Sequence, residues 1–119
     1  EFLGYLTDKE LVGYYRGCCA LVFSGIEDFG LTMLEAQSFG KPIIAFKGGG
    51  ALETIIDGKT GEFFYPQNED ALVKTVRELK ESKYNPLDCI NQAKKFSKER
   101  FKAEFITKIM ELVERYKSI

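Results

Sequence analysis

The residues from Gly25 to Glu35 (Gly-Ile-Glu-Asp-Phe-Gly-Leu-Thr-Met-Leu-Glu) gather the side chains best suited to chemistry. They follow an apolar run, Ala20 to Ser24, that reads as a buried strand, and they open a helical pattern from Gly30 to Phe39. In an open parallel sheet, ligands bind beyond the carboxyl ends of the strands. A helix that starts there offers unpaired N–H groups and a partial positive charge, which suit a phosphate. Gly30 lets the backbone approach a ligand closely. The same strand-loop-helix grammar also describes a plain tight connection with Asp28 as an ordinary cap.

Two glutamates sharpen the choice. Glu27 precedes the helix and Glu35 lies within it. Their spacing carries no weight, because among thirteen glutamates in 119 residues about one such pair arises by chance. Position says more. At 100° per residue, Leu31, Leu34, Glu35, Ser38 and Phe39 share one arc, which puts Glu35 amid a mainly apolar face. A carboxylate buried there needs partners. One set of partners is a nearby lysine, or solvent reached by a snorkelling tail. Another is a ligand with two adjacent hydroxyls, such as the ribose of a nucleotide, which one carboxylate can accept together.

The surrounding elements must position these groups. Phe2 to Leu6 reads as a short strand. Thr7 and Glu10 form a capping box that starts a helix ending near Gly17. Gly40 suits the C′ position after the Gly30–Phe39 helix. Pro42 to Phe46 is a second buried strand, Gly48-Gly49-Gly50 leads into a short helix at Ala51 to Ile56, and Gly61 to Tyr65 is a last strand. Asn68, Asn85-Pro86 and Ser97 begin three further helices. The final helix carries an apolar stripe of Phe101, Phe105, Ile106, Ile109, Met110, Leu112, Val113 and Tyr116. Strands alternating with helices imply an α/β fold, a Rossmann-like parallel sheet with helices on both faces and a helical C-terminal end. The strand-helix units occupy residues 1–66 and the helical part residues 67–119.

Composition narrows the function classes. The absence of histidine excludes from this chain a Ser-His-Asp triad, a Cys-His dyad and a histidine metal site. A net charge of −1 gives no reason to expect a nucleic-acid partner. Cys18, Cys19 and Cys89 show neither metal-ligand spacing nor a disulfide framework. They suggest a reducing, cytoplasmic setting, with Cys18 and Cys19 near the core. The apolar runs are far shorter than the ~20 residues of a membrane-spanning helix. The chain opens almost directly into an apolar run without a cap, as expected of a segment of a longer protein.

In order along the chain, Glu27-Asp28-Phe29-Gly30-Leu31, Glu35-Ala36, Gly40-Lys41-Pro42-Ile43-Ile44-Ala45, Gly49-Gly50 with Glu53, and Gly58-Lys59-Thr60-Gly61-Glu62-Phe63-Phe64 resemble the donor-site signature of retaining GT-B glycosyltransferases, the glycosyltransferase family 4 group. The resemblance runs from about Phe2 to about Leu79. The stretches Glu35-Ala36-Gln37 and Gly48 to Thr54 resemble mannosyltransferases of cell-surface polysaccharide synthesis. The resemblance implies that the chain is part of the C-terminal, nucleotide-sugar-binding lobe. It implies a catalytic Glu27 on the donor-sugar hydroxyls, backbone N–H groups of Phe29, Gly30 and Leu31 facing sugar and diphosphate, a Thr32 hydroxyl on phosphate, and Glu35 on the ribose. Gly48, Gly49 and Gly50 are a candidate donor loop.

Transfer in this family retains the anomeric configuration and uses no cofactor and no bound metal. The resemblance further implies that two upstream strand-helix units, with an Arg/Lys pair for the diphosphate, and an N-terminal lobe for a glycan or lipid-linked acceptor lie outside this chain. Residues 1–119 alone are then expected to be inactive, and the whole enzyme cytoplasmic or peripheral at the inner membrane face. Two other classes stay open: a non-catalytic nucleotide- or anion-binding module, and a structural interaction domain built on the last helix. Glu53 reads as a surface or capping residue, Tyr14 and Tyr15 as packing residues, and the Lys94, Lys95, Lys98, Arg100 and Lys102 cluster as a solvated face.

Overall fold

The computed structural model describes residues 1–118. Helix α1 (Asp8–Gly17) leads to strand β1 (Leu21–Phe23), α2 (Leu31–Ser38), β2 (Ile43–Phe46), α3 (Ala51–Thr54), β3 (Gly61–Phe64), α4 (Glu69–Glu78), a single 3₁₀ turn at Glu81–Lys83, α5 (Pro86–Lys94) and α6 (Lys98–Lys117). The three strands form one parallel sheet in the order β1-β2-β3. Leu21 pairs with Ile43, Phe23 with Ala45, and Phe46 with Phe64. The fold is the α/β arrangement expected from the alternation of strands and helices. The last residue of the expected helical part, Ile119, lies outside the described residues.

Local signals start the helices as expected. Thr7 and Glu10 close a reciprocal capping box on α1. Asn68 accepts from Ala71 N–H, Asn85 precedes Pro86 at the first turn of α5, and Ser97 accepts from Arg100 N–H. Each cap satisfies a donor that the helix itself leaves unpaired, a contribution of about 1 kcal/mol.

The core sits between one sheet face and the first helices. Ile43, Ala45, Met33, Ala36, Tyr15, Ala51 and Ile55 form its buried centre, with Leu21, Phe23 and Phe63 packed around it. Ile43 to Ala45 are buried on both faces of β2. Full burial of each isoleucine there contributes about 1.5–3 kcal/mol.

Four expectations change. Phe2 to Leu6 is not a strand: its backbone is irregular, and Phe2 and Tyr5 are almost fully exposed. A strand exists only where a neighbour takes up its backbone hydrogen bonds, and no other strand among the described residues pairs with this segment. β1 is an edge strand with Val22 46% exposed, so its second face is not covered as expected. Cys19 is exposed and Cys18 half-buried, whereas Cys89 is the buried cysteine. The final helix does carry its apolar stripe, but every residue of α6 is exposed.

The largest correction concerns α2. Its buried residues are Met33, Leu34, Ala36 and Gln37, while Leu31 and Glu35 face solvent. The helix is apolar on several sides, so its pattern does not select a face. Packing against α5 and the sheet selects it. The buried Gln37 donates from its Nε2 to Thr54 O at 3.2 Å, and Gln92 Nε2 on α5 donates to the same carbonyl at 3.1 Å.

Candidate functional site

The chain between β1 and α2 forms an open concavity lined by Ile26, Glu27, Asp28, Phe29, Gly30 and Leu31, with a volume of about 470 Å³. It lies past the carboxyl end of β1, as expected of a ligand site in a parallel sheet. Gly30 makes the turn into α2 with φ 84°, the left-handed region that favours glycine. A Cβ there would lie 2.1 Å from Met33 Cε. Gly30 supplies no side-chain cap, and the first turn of α2 holds no acidic residue. Its carbonyl closes the turn by accepting from Met33 and Leu34 N–H. The N–H groups of Leu31 and Thr32, at the very start of the helix, are the ones a helix leaves without an internal partner. The end of α2 is therefore suited to an anion.

The glycine loop supports this concavity from the next strand. It follows β2, and Gly50 N–H donates to Glu27 O at 2.6 Å. A Cβ on Gly49 would lie 2.5 Å from Glu27 O, and one on Gly50 would lie 2.5 Å from Phe29 O. The two loops thus touch backbone to backbone, an approach only glycine permits. Gln67 Nε2 holds the start of the first loop through Ser24 O at 3.0 Å. Phe29 anchors the other end edge-to-face on Phe96, with ring centroids 5.8 Å apart.

Glu27 is exposed at the concavity, and Phe29 is partly exposed beside it. Thr32 is exposed on the first turn of α2. Glu35 lies one turn further on, about 6 Å along the axis from Leu31. It borders a second groove of about 310 Å³ between α1 and α2, lined by Asp8, Leu11, Val12, Tyr15, Glu35 and Phe39. The structure therefore joins Glu27, Phe29, Gly30 and Leu31 in one concavity and packs Gly49 and Gly50 against it. Glu35 stands in the neighbouring groove.

Glu35 is exposed, yet it has a polar partner, and that partner is not a lysine. Tyr15 Oη donates to Glu35 Oε2 at 2.9 Å. Burial, then the hydrogen bond to Glu35, push the Tyr15 hydroxyl up to about 12. Sequence reasoning read Tyr15 as packing alone, and its ring is indeed buried. Nothing local signals the hydroxyl contact, because its partner lies twenty residues away on another helix. Beyond both grooves, Lys83 and Tyr84 donate to Glu62. Burial raises the Glu62 carboxyl, but these two bonds outweigh it and hold the group below its usual range. Among the described residues, no group of three or more Cys, Asp or Glu side chains is placed to hold a metal ion, and no helix is long and apolar enough to cross a membrane.

A loop-and-helix concavity past the carboxyl end of a parallel strand is where open α/β sheets usually bind their ligands. Residues 1–96 match the model of the family described as glycosyl transferases group 1, and the chain belongs to that family. It is 40% identical over 70 residues to the alpha-1,3/1,6-mannosyltransferase ALG2 of Dictyostelium discoideum, which covers 58% of this chain and 17% of that protein. The fold matches sucrose-phosphate synthase from Thermosynechococcus elongatus with a TM-score of 0.64 and 29% identity, over 98% of this chain and 29% of the other. It matches Anabaena HepE, solved in complex with UDP and glucose, with a TM-score of 0.58 and 27% identity, over 100% of this chain and 32% of the other. The parallel sheet with its helices is thus similar to GT-B glycosyltransferase structures. The chain spans less than a third of the length of each of these three relatives.

Proposed function

We propose that this chain is part of the C-terminal, donor-binding lobe of a retaining family 4 glycosyltransferase. In this reading the whole enzyme transfers a sugar, mannose among the candidates, from a nucleotide-sugar to a glycan or lipid-linked acceptor held by an N-terminal lobe. The observation that carries the reading is the concavity from Ile26 to Leu31, braced by the glycine loop and opening on the uncapped start of α2. Family membership and the similarity to a mannosyltransferase support it. A neighbour solved with UDP and glucose supports a nucleotide-sugar donor.

The roles in this reading are those the family resemblance implies for the matching residues. Glu27 takes hydroxyls of the donor sugar at the mouth of the concavity. The N–H groups of Phe29, Gly30 and Leu31, with the Thr32 hydroxyl, face the sugar and diphosphate. As the bond from the anomeric carbon to the diphosphate oxygen breaks, negative charge grows on the leaving group. A fixed helix start stabilises that charge without reorganising. The acceptor hydroxyl gives its proton to the departing diphosphate oxygen and forms the new bond on the face the diphosphate leaves, which retains configuration. Glu35 holds the ribose in the α1–α2 groove. Neither a cofactor nor a metal is part of this reading. A cytoplasmic site, peripheral at the inner membrane face, fits a lipid-linked acceptor.

The test uses the full-length protein. A thermal-shift panel of UDP, GDP and ADP and their glucose and mannose conjugates should show stabilisation by at least one nucleotide-sugar. Transfer to a lipid-linked or glycan acceptor should then give a product whose anomeric configuration, read by NMR, matches the donor's. Binding without transfer would support a non-catalytic nucleotide module instead. A flat panel would leave a structural interaction domain.

A further inference from the structure

The geometry points to Tyr15 as the residue that positions Glu35 for a nucleotide ribose, through the hydrogen bond from its hydroxyl to one carboxylate oxygen. This rests on the ribose-binding reading of Glu35 given above. Tyr15 is fixed before any ligand arrives. Its ring is only 6% exposed and stacks on Phe39 with centroids 5.4 Å apart and planes inclined by 17°. The Arg16 guanidinium lies 6.0 Å from the centroid of the same Phe39 ring. From this held ring, Oη reaches from α1 to Glu35 Oε2 on α2.

Glu35 is in the opposite condition. It sits on the exposed side of α2, where a long flexible side chain would otherwise sample several rotamers. Ordering such a side chain on binding costs about as much as one modest hydrogen bond contributes. The Tyr15 contact meets that cost during folding. A carboxylate has about four acceptor positions. Tyr15 occupies one, which leaves enough for the two adjacent hydroxyls of a ribose. The raised Tyr15 hydroxyl keeps its proton at neutral pH and so remains a donor.

The test is calorimetry on the full-length protein with UDP, GDP and ADP, and with the 2′,3′-dideoxy analogue of whichever binds best. Tyr15→Phe keeps the stacked ring and removes only the hydroxyl. It should weaken the ribonucleotide ~3–10-fold, the cost of ordering one long side chain, and leave the dideoxy analogue unchanged. Glu35→Ala should abolish the preference for the ribonucleotide and make Tyr15→Phe silent in its background. A hydroxyl that merely staples α1 to α2 would change the melting temperature without changing the ribo-to-dideoxy ratio. If Glu35→Ala reduces that ratio and Tyr15→Phe does not, the positioning role is wrong and the reading of Glu35 stands. If Glu35→Ala leaves the ratio intact, or none of the three nucleotides binds, both are wrong.

Discussion

Replacing Gly50 with alanine puts one methyl group where the glycine loop meets the loop that carries Glu27. The backbone at Gly50 is ordinary, with φ −62° and ψ −21°, so alanine adopts it without strain and the effect comes from space alone. The added Cβ would lie 2.5 Å from Phe29 O, 2.6 Å from Phe29 C and 2.7 Å from Asp28 O. Ordinary contact begins near 3.4 Å, so the loops must part by about 0.9 Å or remain compressed. All three obstructing atoms are backbone and cannot swing aside. Compression of this kind costs ~1–3 kcal/mol. Parting gives up the hydrogen bond from Gly50 N–H to Glu27 O, a net ~0.5–1.5 kcal/mol. It also moves Glu27 by about 1 Å, a displacement that can cost ~100-fold in rate. Urea unfolding of the full-length Gly50→Ala protein should therefore show a loss of ~1–3 kcal/mol, and sugar transfer per folded molecule should fall at least ~10-fold. Gly58→Ala is the control. Gly58 has φ +77° with no atom within 4 Å of an added Cβ, so it brings left-handed strain of ~1–2 kcal/mol outside the concavity. It should lower stability and leave transfer unchanged. Wild-type transfer and stability in Gly50→Ala, or an equal loss of transfer in Gly58→Ala, would refute the idea that the glycine loop braces Glu27.

Three further outcomes are expected. Glu27→Ala should reduce turnover of the nucleotide-sugar while leaving calorimetric affinity for the bare nucleoside diphosphate nearly intact; equal losses for both would make Glu27 a support of its loop. Gln37→Met and Gln92→Met should be non-additive, because Thr54 O keeps one amide donor in either single variant and loses both in the double. Each single should cost well under the double's additional ~1–3 kcal/mol for a stranded buried carbonyl, and additive urea-unfolding energies would contradict that. Because Glu62 is held below its usual range when folded, its stabilising contribution is full above its unfolded pKa and is lost as pH falls through the lower folded value. Urea midpoints of wild type and Glu62→Gln should thus differ near neutrality and converge on acidification; a constant gap would show that Lys83 and Tyr84 do not favour the charged form.

Much of the fold was legible because its signals are local. The Thr7–Glu10 capping box, the Asn68, Asn85 and Ser97 caps and the left-handed Gly40 act within three or four residues of themselves. Adjacent residues suffice to specify such features wherever the chain later goes. The apolar runs at β1 and β2, and the loop opening onto Gly30, were equally readable.

The remaining features depended on segments far apart in sequence. Phe2 to Leu6 has the residue types of a strand and, among the described residues, no neighbouring strand to make it one. The face of α2 was misread because Leu31, Met33, Leu34 and Ala36 place apolar groups around much of the helix. α5 and the buried amide bonds of Gln37 and Gln92 then chose which of them to cover. Glu35 consequently came out on the solvent side, and its partner proved to be a tyrosine on α1. That Glu27, Asp28 and the start of a helix come together just after β1 can be read from residue order alone. That Gly49 and Gly50 brace Glu27 and that Tyr15 reaches Glu35 cannot, because both contacts exist only once separate helices and strands have packed against each other.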